Sequence, residues 1–413
     1  MHDENKSGYG WVVVAITVLA LLVSAGVRAA PGVLIVPLEQ DTGWSRTLIA
    51  TAISVGLLLF GFAGPFAGWL LDRLGPRPVM LGGLALMAAS MVASALMRAP
   101  WQMLLFWGAV SGLATGLVGA VMGTAVANRW FYARRGLVLG IFGAATSAGQ
   151  LIFLPAVAFA AVSVGWRGAS VLLAALAAAL LPLVFLLMRN TPADVGALPY
   201  GLTPALPAPA APPSALAVMG VALRSPAFWL LATTFFICGA TSNGLVGTHF
   251  VPHAVDHGIA HATAAGTLAL MGLMNFVGTL GSGWLTDRYD PRTLLAIYYG
   301  FRGISLLFLP FVTSPPGLAF FAILFGLDYI ATVPPTAALV ADSFGRHNAA
   351  TVFGWVFCAH QIGAALAAWL GGVARDLTGG YAVAFLVAGA LAIAATGLSL
   401  GIRRTPVPAP AAD

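Results

Sequence analysis

Twelve apolar runs, each about as long as a bilayer core is thick, divide this chain and leave little sequence outside them. They cover residues 10–37, 47–71, 78–97, 101–126, 136–160, 167–188, 226–251, 262–286, 293–312, 316–341, 349–374 and 380–402. A helix rises about 1.5 Å per residue, so about 20 apolar residues cross a hydrocarbon core of roughly 30 Å. Inside lipid a backbone must satisfy its own hydrogen bonds, which a helix does within one segment. The pattern therefore predicts an all-α membrane protein with twelve transmembrane helices, spans 1 to 12. Only 8% of the 413 residues are charged and 60% are hydrophobic, against about a quarter charged in soluble domains. No separate soluble domain fits.

The spans form two sets of six, predicting an N-terminal bundle over 1–188, a linker over 189–225 and a C-terminal bundle over 226–413. The linker contains TPALPAPAAPPSA, whose prolines and alanines read as an extended segment outside the lipid. Basic residues in the short loops set the orientation. One side carries Lys6, Arg73, Arg77, Arg129, Arg134, Arg135, Arg189, Arg224, Arg288, Arg292, Arg346, Arg403 and Arg404; the other carries Arg46, Arg98, Arg167 and Arg375. Both termini and the linker are thus expected in the cytoplasm, with a lipid bilayer as the surroundings. The short acidic start, MHDENKSGYG, leads into a run too long for a signal-peptide core, so span 1 is expected to remain in the mature protein. The net charge of +6 is scattered singly between apolar runs, which argues against a nucleic-acid partner. Cys238 and Cys358 lie inside apolar runs without metal-ligand spacing and read as buried thiols. Neither metal nor cofactor is expected. No G-x-x-x-x-G-K-S/T occurs, so nothing points to direct use of ATP.

A repeat joins the two sets. GWLLDRLGPR from Gly68 to Arg77 returns as GWLTDRYDPR from Gly283 to Arg292, a displacement of 215 residues. Asp72 and Asp287 can pair with arginines and with the positive N-terminus of a neighbouring helix. This G-x-L-x-D-R-x-G-x-R loop after span 2 resembles the signature loop of the major facilitator superfamily. The resemblance implies two pseudo-symmetric six-helix bundles (the major facilitator fold), spans 1, 4, 7 and 10 around a central cavity, and alternating access. It also implies a conformational latch made by Asp72, Arg73, Arg77, Asp287, Arg288 and Arg292. The second copy has Asp290 in place of Gly75, so its turn is expected to differ.

Three further segments resemble bacterial monocarboxylate porters and oxalate/formate antiporters: GYGWVVV (Gly8 to Val14), WFYARRGLVLGIFGAATSAG (Trp130 to Gly149) and PADVGALPYG (Pro192 to Gly201). They imply a small organic anion, monocarboxylate-like, as substrate. Many of those porters carry an arginine for the substrate carboxylate in span 8, four residues after Asp or Asn. Here these places hold Thr279 and Asn275. The polar partner remains and the arginine does not.

An ionisable side chain in hydrocarbon costs on the order of 2.5–3.5 kcal/mol even on lenient scales. Arg28 in span 1, Arg302 in span 9 and Asp328 in span 10 therefore need reasons. The resemblance suggests that Arg28, near the place of a porter lysine, meets the anion; snorkelling to the headgroups is the alternative. Arg302 and Asp328 fall at similar depth, so they could form a structural ion pair, or Arg302 could touch substrate while Asp328 handles protons. Burial and a nearby arginine act on that carboxyl in opposite directions. His249, near the end of span 7, is the competing proton site. His253, His257 and His261 follow without a clear ligand set and read as solvated. His360 beside Gln361 reads equally as packing or ligand. Gln150, Asn243, Asn275 and Gln361 offer amide groups either to substrate or to one another.

The combined reading is a monomeric secondary transporter that couples a small organic anion to protons by symport. An exporter of drugs or metabolites by proton antiport is the alternative, and a receptor or scaffold the reading from another class. An enzyme is not expected, because no nucleophile–base pair or metal-binding helix pattern is present.

Overall fold

A single glycine decides how many times the chain crosses. In the computed structural model, which describes residues 8–44, 46–202 and 215–403, residues Arg135–Leu187 run as one hydrogen-bonded rod, but Gly165 in its middle adopts φ 73°, ψ 169°. Only glycine takes such a conformation without strain, and it splits the rod into α5 (135–164) and α6 (166–187). The remaining helices are α1 (Tyr9–Thr42), α2 (Arg46–Leu74), α3 (Pro76–Ala95), α4 (Pro100–Trp130), α7 (Pro226–Asp256), α8 (His261–Thr286), α9 (Pro291–Phe311), α10 (Pro315–Phe344), α11 (Ala349–Thr378) and α12 (Ala382–Leu400). Among the described residues, eleven apolar helices of membrane-spanning length, one of them double, match the twelve expected spans. Lys6, Arg404 and most of the proline–alanine tract (203–214) lie outside the described residues, as do the side chains of Arg46 and His261.

The helices cluster into two compact units that do not follow the sequence halves everywhere. The first comprises Met1–Ala133, Ala145–Pro212 and His347–Gly354; the second comprises Arg134–Ala144, Pro213–Arg346 and Trp355–Asp413. Each unit thus takes in the opening turns of a helix, α11 or α5, whose remaining length is assigned to the other.

In the first unit α2 and α4 approach through glycines. A Cβ on Gly112 would meet the Gly56 carbonyl at 2.5 Å, and one on Gly116 would collide with Ala63. α4 is interrupted at Val118–Gly119, where Gly119 turns extended (φ −99°, ψ −154°). The three porter-like segments of the sequence meet here. Trp11 packs edge-on against Phe131 and Tyr200, with ring centroids 5.1 and 6.0 Å away. Tyr200 N–H donates to the Trp130 carbonyl at 2.8 Å, and the Tyr200 carbonyl accepts from the N–H groups of Tyr132 and Ala133. The opening residues of the linker are therefore bound to the α4–α5 loop.

In the second unit α9 lies along α12 with Gly303 against Gly389. α8 lies along α10 with Gly278 against the Leu327 carbonyl. Phe250, Phe321, Phe325 and Phe385, with Leu306, Leu309 and Met271, form its apolar core. Small residues at such contacts let backbones close and gain dispersion energy, which is what holds helices together where lipid is as apolar as protein.

Candidate functional site

α10 is broken at its centre, and the sequence says why. Pro334 and Pro335 lack the N–H groups that an unbroken helix would offer to the carbonyls of Ile330 and Ala331. The first segment ends at Asp328, a turn follows, and a second segment begins at Val333. Freed backbone groups in an apolar interior must find partners. Ser282 Oγ of α8 donates to the Ala331 carbonyl at 2.5 Å, and Ile330 N–H donates to Asn275 Oδ1 at 3.2 Å. Thr279 Oγ1 donates to the Asn275 carbonyl and Oδ1, at 2.7 and 3.1 Å. Ser282 and Asn275 therefore tie α8 to the break in α10, and Thr279 holds the Asn275 side chain from within α8.

Arg302 of α9 takes the rest. Its Nε lies 2.6 Å from Asp328 Oδ2, and its Nη2 donates to the carbonyls of Asp328 and Tyr329 at 2.8 and 3.2 Å. Its Nη1 faces α7, 2.9 Å from Cys238 Sγ and 3.3 Å from both the Cys238 carbonyl and Thr241 Oγ1. The rings of Tyr299 and Phe325 flank the guanidinium at 5.7 and 5.8 Å. Arg302 is 0% and Asp328 4% exposed. Asp328 Oδ1 is buried and accepts no hydrogen bond. A carboxylate oxygen left this way is the anomaly of the site, because a buried acceptor without a donor costs about 1–3 kcal/mol, more when charged.

Of the other residues singled out from sequence, His360 reaches the surroundings of the pair, at the Cys238 thiol. Arg28 is half-buried, its guanidinium 5.0 Å from the Phe60 ring centroid, beside a cavity of about 30 Å³ lined by Pro31, Trp107, Ser111 and Thr115. His249 is buried, with Nε2 2.8 Å from the Ala368 carbonyl and its ring 5.0 Å from Tyr381. A carbonyl can only accept, so Nε2 carries the proton. His253 is also buried, not solvated, and its Nδ1 has no partner. His360 shares a 2.9 Å contact with Gln361 Oε1 and packs on Phe235 and Phe357. Asn243 is exposed on a wide π-type stretch of α7, Ala240–Val246, and Gln150 is half-buried on α5.

The duplicated loops do one thing twice. In the first unit Asp72 Oδ2 accepts from Thr351 N–H and Oγ1 at 3.0 and 2.6 Å, at the start of α11, while Arg129 Nη2 stands 3.8 Å from Oδ1. In the second, Asp287 accepts from the N–H groups of Gly136 and Leu137 at 2.6 and 2.8 Å, at the start of α5. Both carboxylates thus meet the positive end of a helix. Arg73 and Arg288 lie over Trp69 and Trp284, 5.5 and 3.8 Å from the ring centroids. Arg77 donates to the Phe185 carbonyl at 2.6 Å. The two turns differ as expected: Gly75 takes φ 86°, whereas Asp290 takes φ −62° and accepts from Arg292 N–H and Nε at 3.3 and 2.9 Å. Burial and the Arg129 guanidinium hold the neighbouring His347 imidazole below its ordinary pKa.

Sequence reasoning missed Cys238, Thr241 and Thr332 around the ion pair, and Thr351 and Gly136 opposite the aspartates. The first three carry no charge or motif to mark them. The last two had a signal, since Gly136 and Thr351 stand 215 residues apart, the displacement of the repeat.

Comparison with known proteins places the whole chain. The family profile described as Major Facilitator Superfamily matches residues 17–368 and, again, 254–413. Rat (Rattus norvegicus) monocarboxylate transporter 13 is 28% identical over 401 residues, covering 96% of this chain and 89% of the rat protein. The oxalate:formate antiporter of Oxalobacter formigenes is 26% identical, over 92% and 88% of the two chains. A crystal structure of a double-tryptophan mutant of XylE superposes with a TM-score of 0.78 at 15% identity, over 97% of this chain and 98% of that one.

Proposed function

Because the chain belongs to the Major Facilitator Superfamily and is a transporter rather than an enzyme, we propose that it moves a small monocarboxylate-like anion together with protons by alternating access. The setting proposed is a bacterial inner membrane, with both termini in the cytoplasm, as the basic loops suggest. The observation that carries the reading is Asp328: a carboxyl buried in a broken helix, paired with Arg302 through Oδ2 and with no donor at Oδ1. Such an oxygen is where a proton can bind without displacing an existing contact.

The substrate class is supported by what the relatives carry in their names, a monocarboxylate transporter and an oxalate:formate antiporter. Every nitrogen of Arg302 is already engaged by protein groups, so Arg28 is assigned to attract the anion, with Asn243, Gln150 and Gln361 offering polar contacts. His249 keeps a secondary role in proton handling at the far end of α7. Asp72 and Asp287, with Arg73, Arg77, Arg288 and Arg292, act as the latch, releasing the helix starts they cap as the protein changes state.

The test is uptake of labelled lactate, pyruvate and oxalate by proteoliposomes under an imposed proton gradient. Asp328→Asn is expected to abolish gradient-driven accumulation while exchange of internal for external substrate stays measurable. Unchanged pH dependence in that variant would remove Asp328 from the mechanism. Failure to carry any carboxylate would overturn the anion assignment.

A further inference from the structure

A buried thiol and a buried hydroxyl complete the surroundings of Arg302. Cys238 Sγ lies 2.9 Å from Arg302 Nη1 and 3.1 Å from Thr332 Oγ1, with Cys238 1% and Thr332 0% exposed. Thr332 occupies the N-cap position of the second segment of α10. A threonine there ordinarily turns its hydroxyl onto the first N–H groups of the helix. Pro334 and Pro335 remove two of those donors, Thr332 makes no cap bond, and its hydroxyl meets the thiol.

The guanidinium consequently holds both sides of the break. Through Nε and Nη2 it binds the end of the first segment at Asp328 and the turn at Tyr329; through Nη1 and the thiol it reaches the N-cap of the second segment at Thr332. Because the guanidinium is a flat, rigid fork, fixing one arm fixes the direction of the others.

We infer that Cys238 and Thr332 are positioning residues for the Arg302–Asp328 pair, holding the cation from the α7 side so that its Nε stays on Asp328 Oδ2 and Oδ1 is left open. The inference rests on the reading of Asp328 as the proton-coupling group. Protonation of Asp328 removes the charge that attracts Arg302. The contacts to Cys238 and Thr241 then retain the guanidinium within reach, and the pair re-forms when the proton leaves. Without them the cation is free to turn away, and Asp328 loses the partner that favours its ionised form.

The experiment compares Cys238→Ala with Cys238→Ser, and Thr332→Val with Thr332→Ser, in proteoliposomes, reading gradient-driven net uptake and substrate exchange for each. Loss of the bond between Cys238 and the charged guanidinium is expected to lower net uptake about tenfold more than exchange in Cys238→Ala, and Thr332→Val, which removes the partner that orients the thiol, is expected to shift the ratio in the same direction by less. The serine variants, which keep a hydrogen-bonding group in the place of the thiol or hydroxyl, are expected to retain the wild-type ratio of the two rates. Thr332→Val changes shape little, so it tests the point even if Cys238→Ala folds poorly. Equal loss of uptake and exchange, or serine behaving like alanine, would mean packing alone and would overturn the inference. Asp328→Asn measured alongside separates the two levels. If it leaves the ratio unchanged, the reading of Asp328 falls; if it shifts the ratio and the Cys238 and Thr332 variants do not, only the positioning role falls.

Discussion

Asp72 on α2 binds the first turn of α11 through Thr351, and the 215-residue repeat carries the same relation onto Asp287 and Gly136 at the first turn of α5. The aspartate common to both loops therefore has one physical task, to accept from donors that a helix start leaves unsatisfied. In each case the helix comes from the other half of the sequence. Arg73, Arg77 and Arg288, by contrast, lie against tryptophans or carbonyls of their own half, and Arg292 pairs with Asp290.

Asp72→Ala and Asp287→Ala should each lower the stability of the resting state by roughly 1 kcal/mol, the usual worth of a helix cap. Thermal unfolding in detergent reads this directly. Combining Asp72→Ala with Thr351→Val should cost less than the sum of the two single changes, since both remove the same contact.

Arg302→Leu leaves a buried carboxylate without its counter-charge and should destabilise the protein by about 3–5 kcal/mol. The double change Arg302→Leu with Asp328→Leu should recover most of that loss, because neither charge then remains buried. Gradient-driven uptake should stay absent in the double variant. Thermal stability and transport measured on the same preparations would separate the two effects.

Asp41, at the end of α1, accepts from Trp166 Nε1 at 2.9 Å and pairs with Arg167, and these contacts hold its carboxyl below the ordinary value of 3.8. A carboxyl whose pKa is lower folded than unfolded stabilises the fold above the unfolded value. That contribution is lost as pH falls through the folded one. The melting difference between wild type and Asp41→Asn should therefore be present at neutral pH and vanish in strong acid.

Gly278→Ala should weaken the protein by about 1–3 kcal/mol, because a methyl there collides with the Leu327 carbonyl and forces α8 from the broken centre of α10. Gly281→Ala, with open space at its Cβ, should be tolerated. Melting temperatures of the pair give the comparison.

Twelve crossings, the duplicated loops and the superfamily were legible in the sequence, because each is written in local pattern. Run length set against bilayer thickness predicts spans, and a ten-residue repeat survives without reference to anything distant. Arg302 and Asp328 announced themselves for the same reason, since charge inside an apolar run is conspicuous.

What that pattern could not reveal was which donor answers which acceptor. Cys238 and Thr332 are unremarkable in their runs, and become partners of an ion pair only when α7, α9 and α10 come together. His253, read as a solvated loop residue, lies buried in the continuation of α7. The sequence by itself determined the crossings, the repeat and the presence of charge in lipid, because hydrophobic length and residue type act locally. Only the tertiary structure decided that Arg302 divides its donors between a broken helix and α7 and that Asp328 keeps one oxygen bare, because hydrogen bonds depend on distances between segments far apart along the chain.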